Sequence, residues 1–261
     1  MAFDPTSYKL LSFDIYGTLI DWETGIYSAL LSLLSRLPTS SPHHPSTNTA
    51  SQSRHFLLTE YTKLEQAIQK AEPKLAYPLV LAKIYIQLAA SFSIPITGEE
   101  ASTFGSTIGT WPAFPDTVAA MQKLSKYYKL VVLSNVDRVS FSSTLSGPLS
   151  GVKFDAIYTA EDIGSYKPDL RNFAYLVEHA EKEFGVKKEE VWQVAQSLLH
   201  DHVPAKKFGL RPSVWIRRTP GGEEALMGSQ LEDVRGDVDL AGTFGSLGEF
   251  AEAVEKAFGE T

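Results

Sequence analysis

The chain has 261 residues, a net charge of −7, 43% apolar and 21% charged side chains, enough for one large domain or for a core carrying an insertion. Such a charge leaves no basic stripe along a phosphate backbone and excludes a nucleic-acid partner, although a single pocket can still attract a small anion. There is no cysteine, which removes disulfides, thiolate nucleophiles and cysteine-rich metal sites and suits a cytoplasmic protein. The polar start, Met1 to Lys9, lacks a signal-peptide pattern, and no stretch reaches the ~18 apolar residues of a membrane span, so no membrane contact is expected.

Leu10-Leu11-Ser12-Phe13 is a short apolar run ending in Asp14 and a Tyr-Gly-Thr turn, the pattern of a buried strand with a polar group at its carboxyl end. Helical patterns follow over Tyr27 to Leu37, Phe56 to Gln69 and Leu79 to Phe92. Between the first two lies a polar loop at 38–53, rich in Ser, Thr, Pro and His. It reads as a mobile surface loop rather than as a metal site on His43 and His44. Asp116 is a candidate N-cap for a helix with Val118, Met121 and Leu124 inward. Leu130 to Leu133, Ala156 to Thr159, Val191 to Ala195 and Ser213 to Ile216 read as further strands.

Among them, Phe173, Leu176, Val177, Ala180 and Phe184 share one face of a helix closed by Gly185. Ser246-Leu247-Gly248-Glu249 fits a capping box, opening a last helix with Leu247, Phe250, Val254 and Phe258 inward. Alternating strands and helices from residue 116 predict an α/β parallel sheet covered on both faces. Residues 1–20 plus 111–261 would form this core, and 21–110 a helical cap inserted after the first strand. No internal repeat is present.

In such a sheet, ligands sit at the carboxyl ends of the strands. Those ends carry Asp14, Ser134-Asn135, Lys167 and the segment Gln196 to Asp201. A carboxylate nucleophile, a hydroxyl and amide pair, a cation and a second carboxylate form a kit for displacement at an anionic electrophile. Each has a structural alternative taken singly: a turn former at Asp14, a cap at Ser134-Asn135 or Asp201, a solvated surface lysine at Lys167. Their joint occurrence at strand ends favours function.

The quoted segments resemble the haloacid-dehalogenase superfamily over residues 8 to 218 and into the last helix. Asp14-Ile15-Tyr16-Gly17-Thr18-Leu19 matches its first signature, Val132-Leu133-Ser134-Asn135 the second, Ser165-Tyr166-Lys167-Pro168-Asp169 the third and His200-Asp201 the fourth. The resemblance implies a Rossmann-like core with the helical cap after the first strand. Phosphatases of the superfamily carry a second Asp two residues after the nucleophile, to protonate an alkoxide whose parent alcohol has a pKa of about 16. Here that position is Tyr16. A halide leaves without a proton, so the sequence resembles the L-2-haloacid dehalogenase branch, which uses no metal or other cofactor and acts on a small anionic organic substrate.

By that resemblance Asp14 is the nucleophile, Lys167 holds it ionised, and Asp201 orients or activates water. Thr18, Ser134 and Asn135, with the amides of Ile15 and Tyr16, bind substrate and nucleophile, and Gln196 or Ser197 takes over hydrogen bonding in the fourth signature. Two positions depart from the pattern. The branch places a halide-receiving arginine five residues before the glutamate of a Leu-Glu pair; with Leu64-Glu65 as that pair, the position is Glu60, and Arg54 is the nearest substitute. The fourth signature lacks its asparagine and has His200 and His202 around the aspartate, either as bases or as caps of the following helix. The alternatives are a phosphatase with Mg²⁺ on Asp14, Asp201 and the Tyr16 carbonyl, or a catalytically silent binding homologue. Trp22, Phe56, Tyr61 and Trp111 are candidates for the pocket roof or for cap core, and the aromatic-rich cap helices are compatible with the homodimers common in the branch.

Overall fold

Short apolar strands satisfy their backbone groups only by pairing, and the sequence supplies several. A computed structural model describes residues 3–47, 50–72, 75–218 and 231–259. The chain divides into two compact units. One comprises Met1–Asp21, Ala113–Arg138 and Leu149–Thr261; the other comprises Trp22–Pro112 with Val139–Pro148.

In the first unit six parallel strands form one sheet in the order β3-β2-β1-β4-β5-β6. They are β1 (Leu10–Phe13), β2 (Lys129–Ser134), β3 (Ala156–Thr159), β4 (Val191–Ala195), β5 (Ser213–Ile216) and β6 (Leu240–Phe244). The chain winds outward from β1 to β3, then returns to the other side of β1 and continues to β6. The strand order therefore reverses between β1 and β4, and a crevice opens at their carboxyl ends.

The helices, in chain order, are α1 (Trp22–Leu34), α2 (Ala50–Ala71), α3 (Tyr77–Ser91), α4 (Gly98–Gly105), α5 (Thr117–Leu124), α6 (Arg138–Ser146), α7 (Ala160–Ile163), α8 (Arg171–Phe184), α9 (Val203–Phe208), α10 (Leu231–Val234) and α11 (Leu247–Ala257). On one face of the sheet, Leu10, Val131, Leu133 and Val191 pack on Phe173, Leu176 and Ala180 of α8. Gly185 closes that helix at φ 67°, as its position in the sequence required. On the other face Trp192 stacks on Tyr8 at 4.2 Å and meets the edge of Phe250 from α11 at 5.5 Å. Each such fully buried ring contributes about 1.5–3 kcal/mol.

Three local expectations need correction. Phe258 is 39% exposed, beyond the end of α11, and stacks on Tyr127 instead of entering the core. Asp116 precedes α5 but makes no side-chain cap there; its carboxylate is taken by Arg218 and by the Gly248 amide. Ser246 does cap α11, but the Glu249 carboxylate accepts from the Gly245 amide, so the reciprocal half of the box is displaced by one residue. The sixth strand was not anticipated, because Leu-Ala-Gly-Thr-Phe at a half-exposed edge lacks a strong apolar or alternating pattern.

The second unit is built from α1 to α4 and the body of α6. Val139–Pro148 comes from the crossover between β2 and β3, a part of the chain that the sequence pattern alone placed in the core. Glu65 of α2 accepts hydrogen bonds from Tyr77, at the start of α3, and from Tyr61, fastening these helices together. Burial raises the Glu65 pKa, and the two hydroxyls oppose that shift. Trp22 packs on Tyr61 within the unit, whereas Phe56 is 40% exposed.

Residues 48 and 49 of the polar loop lie outside the described residues, and its last positions already belong to α2. His43 stacks on Phe56 at 4.5 Å and sits 3.4 Å from Ser53 Oγ, and His44 bonds Ser46. No group of three His, Cys, Asp or Glu able to hold a metal occurs among the described residues.

Gly25 of α1 permits a close approach in this unit. A Cβ there would lie 2.3 Å from Cγ of Trp111, whose side chain is buried. Alanine ordinarily favours a helix over glycine by about 1 kcal/mol. Gly25→Ala is nevertheless expected to destabilise, because overpacking costs about 1–3 kcal/mol; a urea midpoint equal to or above that of the parent protein would contradict this packing.

Candidate active site

Asp14 follows β1 immediately, beside the reversal of strand order. Gly17, at φ 95°, makes the turn that a side chain would resist, and the Ile15 carbonyl accepts from Thr18, Leu19 and Ile20. The turn brings Thr18 back towards Asp14, and its hydroxyl donates to Asp14 Oδ2 at 3.0 Å. The same Thr18 oxygen accepts from the Gln196 amide at 2.9 Å, so a two-step relay runs from the end of β4 to the carboxylate. Ile15 is fully buried. Tyr16 is half-buried and pairs through its backbone with Ile20.

Lys167 supplies the cation. Its Nζ donates to Asp14 Oδ1 at 2.9 Å, to Asp201 Oδ1 at 2.7 Å and to the Leu133 carbonyl at 2.8 Å. The ammonium is buried, yet all three hydrogens have acceptors. Burial alone would lower its pKa, but the two carboxylates outweigh burial and raise it. Lys167 is therefore charged, and the solvated-lysine alternative is excluded.

Asp201 is fully buried in a π-helical turn, Leu198–His202, that leads into α9. Its Oδ1 accepts from Lys167 and from Gln193 Nε2 at 2.9 Å, whereas its Oδ2 is buried with no hydrogen-bond partner. Burial pushes this carboxyl up to about 7. Lys167 pulls against that shift, the Asp14 charge adds to it, and Gln193 opposes it.

The structure thus brings Asp14, Thr18, Lys167 and Asp201 into one hydrogen-bonded chain, and Ser134 ends β2 buried next to Leu133. Asn135 donates from Nδ2 to the Lys167 carbonyl at 2.9 Å and accepts the Lys167 amide on Oδ1 at 2.7 Å. Both ends of its amide hold the backbone of the lysine. Ser197 caps the turn carrying Asp201, accepting from the His200 amide, with its Oγ 3.3 Å from His200 Nδ1. His200 is exposed on that turn, and its pKa is lowered by lost hydration against the protein and by the Lys167 cation.

His202 is a core residue. Its Nε2 faces the Ala195 carbonyl at 3.0 Å, and Nδ1 lies 2.6 Å from Ser213 Oγ. The carbonyl requires a hydrogen on Nε2, so the neutral ring accepts from Ser213 on Nδ1. Burial lowers its pKa to about 4.

Two residues of this region were missed. Gln193 interrupts an otherwise apolar strand, and that buried polar position was the signal for it. Arg218, just beyond β5, is 2% exposed and donates to the Thr18 carbonyl; nothing in its immediate sequence marks it.

The halide-arginine position behaves as a surface residue of the second unit, where Glu60 pairs with Lys63 on α2 at 2.7 Å. Arg54 donates to Thr24 and lies 3.8 Å from Glu23. The magnesium alternative would use the same two carboxylates. The Lys167 ammonium already bridges the two carboxylates, and no third His, Cys, Asp or Glu joins them among the described residues.

A doubly wound parallel sheet with an aspartate pair bridged by a buried lysine at its switch point defines a narrow class of α/β proteins. Residues 8–194 match the family of haloacid dehalogenase-like hydrolases, and the chain belongs to that family. An (S)-2-haloacid dehalogenase of Pseudomonas putida is 27% identical over 129 residues, 49% of this chain and 54% of that protein, so the match spans about half the length of this curated relative.

The L-2-haloacid dehalogenase of Xanthobacter autotrophicus, solved with chloropropionic acid covalently bound, superposes with a TM-score of 0.69 at 14% identity, covering 95% of this chain and 98% of that one. A dehalogenase solved as an intermediate complex gives 0.71 at 19% identity, covering 95% and 97%. The hydrolase YfnB of Bacillus subtilis, bound to magnesium, gives 0.67 at 18%, covering 95% and 99%. At these identities the structural likeness shows the fold, and the expected fold class and family are both borne out.

The buried neutral His202 makes stability depend on pH. As pH falls from about 6.5 to 4, the unfolded chain binds a proton that folded His202 refuses, and stability is lost. Asp201, with its raised pKa, acts oppositely, gaining stability as pH falls from about 7. The difference between the parent protein and His202→Gln isolates the histidine. In urea titrations that difference should fall by up to about 3 kcal/mol between pH 7 and 4; parallel curves would refute the assignment.

Proposed function

We propose that this chain hydrolyses the carbon–halogen bond of a small (S)-2-halocarboxylate through an ester on Asp14. The observation that carries the reading is the double restraint of the Asp14 carboxylate by Lys167 and Thr18 at the strand switch, with Tyr16 where an alkoxide leaving group would need a carboxylic acid. The name of the Pseudomonas putida relative supports the same substrate class.

In this reading an Asp14 oxygen attacks C2 of the substrate. The carbon–halogen bond breaks, and the halide leaves with the bonding pair and needs no proton. Water then adds to the Asp14 carbonyl carbon, the ester C–O bond breaks, and a 2-hydroxycarboxylate leaves while Asp14 is restored with one solvent oxygen. Lys167 holds the Asp14 carboxylate in position by donating to its Oδ1. Asp201 takes one proton of the attacking water and the departing alkoxide oxygen takes the other, so the product leaves as an alcohol and one proton is released with the halide in the net reaction. Ser134 and the amides of Ile15 and Tyr16 face the substrate carboxylate. No cofactor enters the scheme. The exposed Phe56, Leu79 and Ile86 of α2 and α3 are the apolar surface that a homodimer would cover.

The test is chloride release from L-2-chloropropionate without added metal. In H₂¹⁸O, the peptide containing Asp14 should gain ¹⁸O during multiple turnovers, and Asp14→Asn should lower turnover by at least about a thousandfold. Absence of label in that peptide while chloride is released would sink the covalent route. Magnesium-stimulated hydrolysis of 4-nitrophenyl phosphate without chloride release would instead establish a phosphatase, and inactivity on both would point to a binding homologue.

A further inference from the structure

Arg218 combines features that no purely surface role explains. It lies two residues after β5, its φ is 54°, in the left-handed region that an arginine rarely enters, and it is 2% exposed. Such a conformation persists where the surroundings dictate it, and here the bent backbone delivers the guanidinium into the first unit. Nε donates to the Thr18 carbonyl at 2.6 Å. Nη1 donates to both oxygens of Asp116 at 2.7 and 2.9 Å, and Nη2 to the Thr117 hydroxyl at 3.2 Å. The guanidinium also lies over the Phe114 ring, 4.1 Å from its centroid.

The neighbouring contacts converge on the same two residues. Thr117 Oγ1 donates to the Leu19 carbonyl at 2.9 Å, and the Phe114 amide donates to the same carbonyl at 3.1 Å. The stretch Thr18-Leu19 is therefore held through its carbonyls from behind, while the Thr18 hydroxyl reaches Asp14 in front.

We infer that Arg218 is a positioning residue for the nucleophile, acting through Thr18. With its counter-ion Asp116, it fixes the Thr18 backbone so that the hydroxyl stays on Asp14 Oδ2 and the Gln196 amide stays on the hydroxyl. A planar fork of donors suits acceptors on three different residues better than the point charge of a lysine. The catalytic part of this inference rests on the ester mechanism proposed above; the structural part does not.

The test combines a substrate-dependent and a substrate-independent measurement on the full chain. In Arg218→Met, single-turnover ester formation on Asp14 from L-2-chloropropionate should slow by roughly 10- to 100-fold with KM changed less than about twofold. Thr18→Val should slow it comparably. The double variant should be no slower than about threefold beyond the worse single variant, because both substitutions break one relay. Arg218→Lys, which keeps the charge opposite Asp116, should fall between parent and Met and serves where Met fails to fold.

Without substrate, hydrogen exchange at the Gln196 amide should accelerate at least tenfold more in Arg218→Lys than at the amides of β1 and β2. Effects of Arg218 and Thr18 that multiply, or a Gln196 amide that follows the strands, would overturn the inference. If the parent protein forms no ester at all, the function proposal fails and the exchange measurement alone decides the role of Arg218.

Discussion

An ammonium ion taken out of water must find an acceptor for each hydrogen, and Lys167 finds three on three different segments. The rest of the site follows from that requirement. Asp14 must stand at the end of β1, the Leu133 carbonyl at the end of β2, and Asp201 in the turn after β4, all within reach of one nitrogen. Removing either carboxylate would leave a buried charge poorly compensated, which costs several kcal/mol in comparable buried pairs. The lysine is therefore both a part of the proposed chemistry and a fastener for three strand ends.

The sheet order makes this convergence feasible. Because β1 lies between β2 and β4, its carboxyl end is flanked on both sides by loops that leave in different directions. Asn135 clasps the lysine backbone from one side with both ends of its amide. Thr18 and Gln196 complete the relay on the other, and Arg218 holds the Thr18 carbonyl. Most of these groups are side chain to backbone, a durable kind of contact because the backbone partner is already fixed by the sheet.

Much of this was legible in the sequence, for identifiable reasons. Five of the six strands announce themselves as apolar runs, and Asp14, Lys167 and Asp201 stand out as charges at or beyond such runs. Asn135 and Ser197 stand out as polar residues at strand ends, but their partners, the Lys167 backbone and the His200 amide, were not legible, because a residue type does not say which nearby group it serves. Gln193 left a faint mark, a polar residue within Val-Trp-Gln-Val-Ala. Arg218 left none, since a salt link to Asp116 across about a hundred residues depends on the folded path alone. Glu60 stands where the family resemblance implies a halide-receiving arginine; in the structure it is one half of a local ion pair.

Sharing one lysine also ties the two carboxylates into a common electrical account. Asp14, Lys167 and Asp201 carry one negative charge in excess when both acids are ionised. Making Asp14 an ester, as the proposed reaction does, erases that excess and leaves the lysine with Asp201 as its sole anionic partner. The repulsion from Asp14 that helps hold a proton on Asp201 disappears in the same event. In the ester state Asp201 is thereby favoured in its ionised form, the form that can take a proton from water in the proposed second half-reaction.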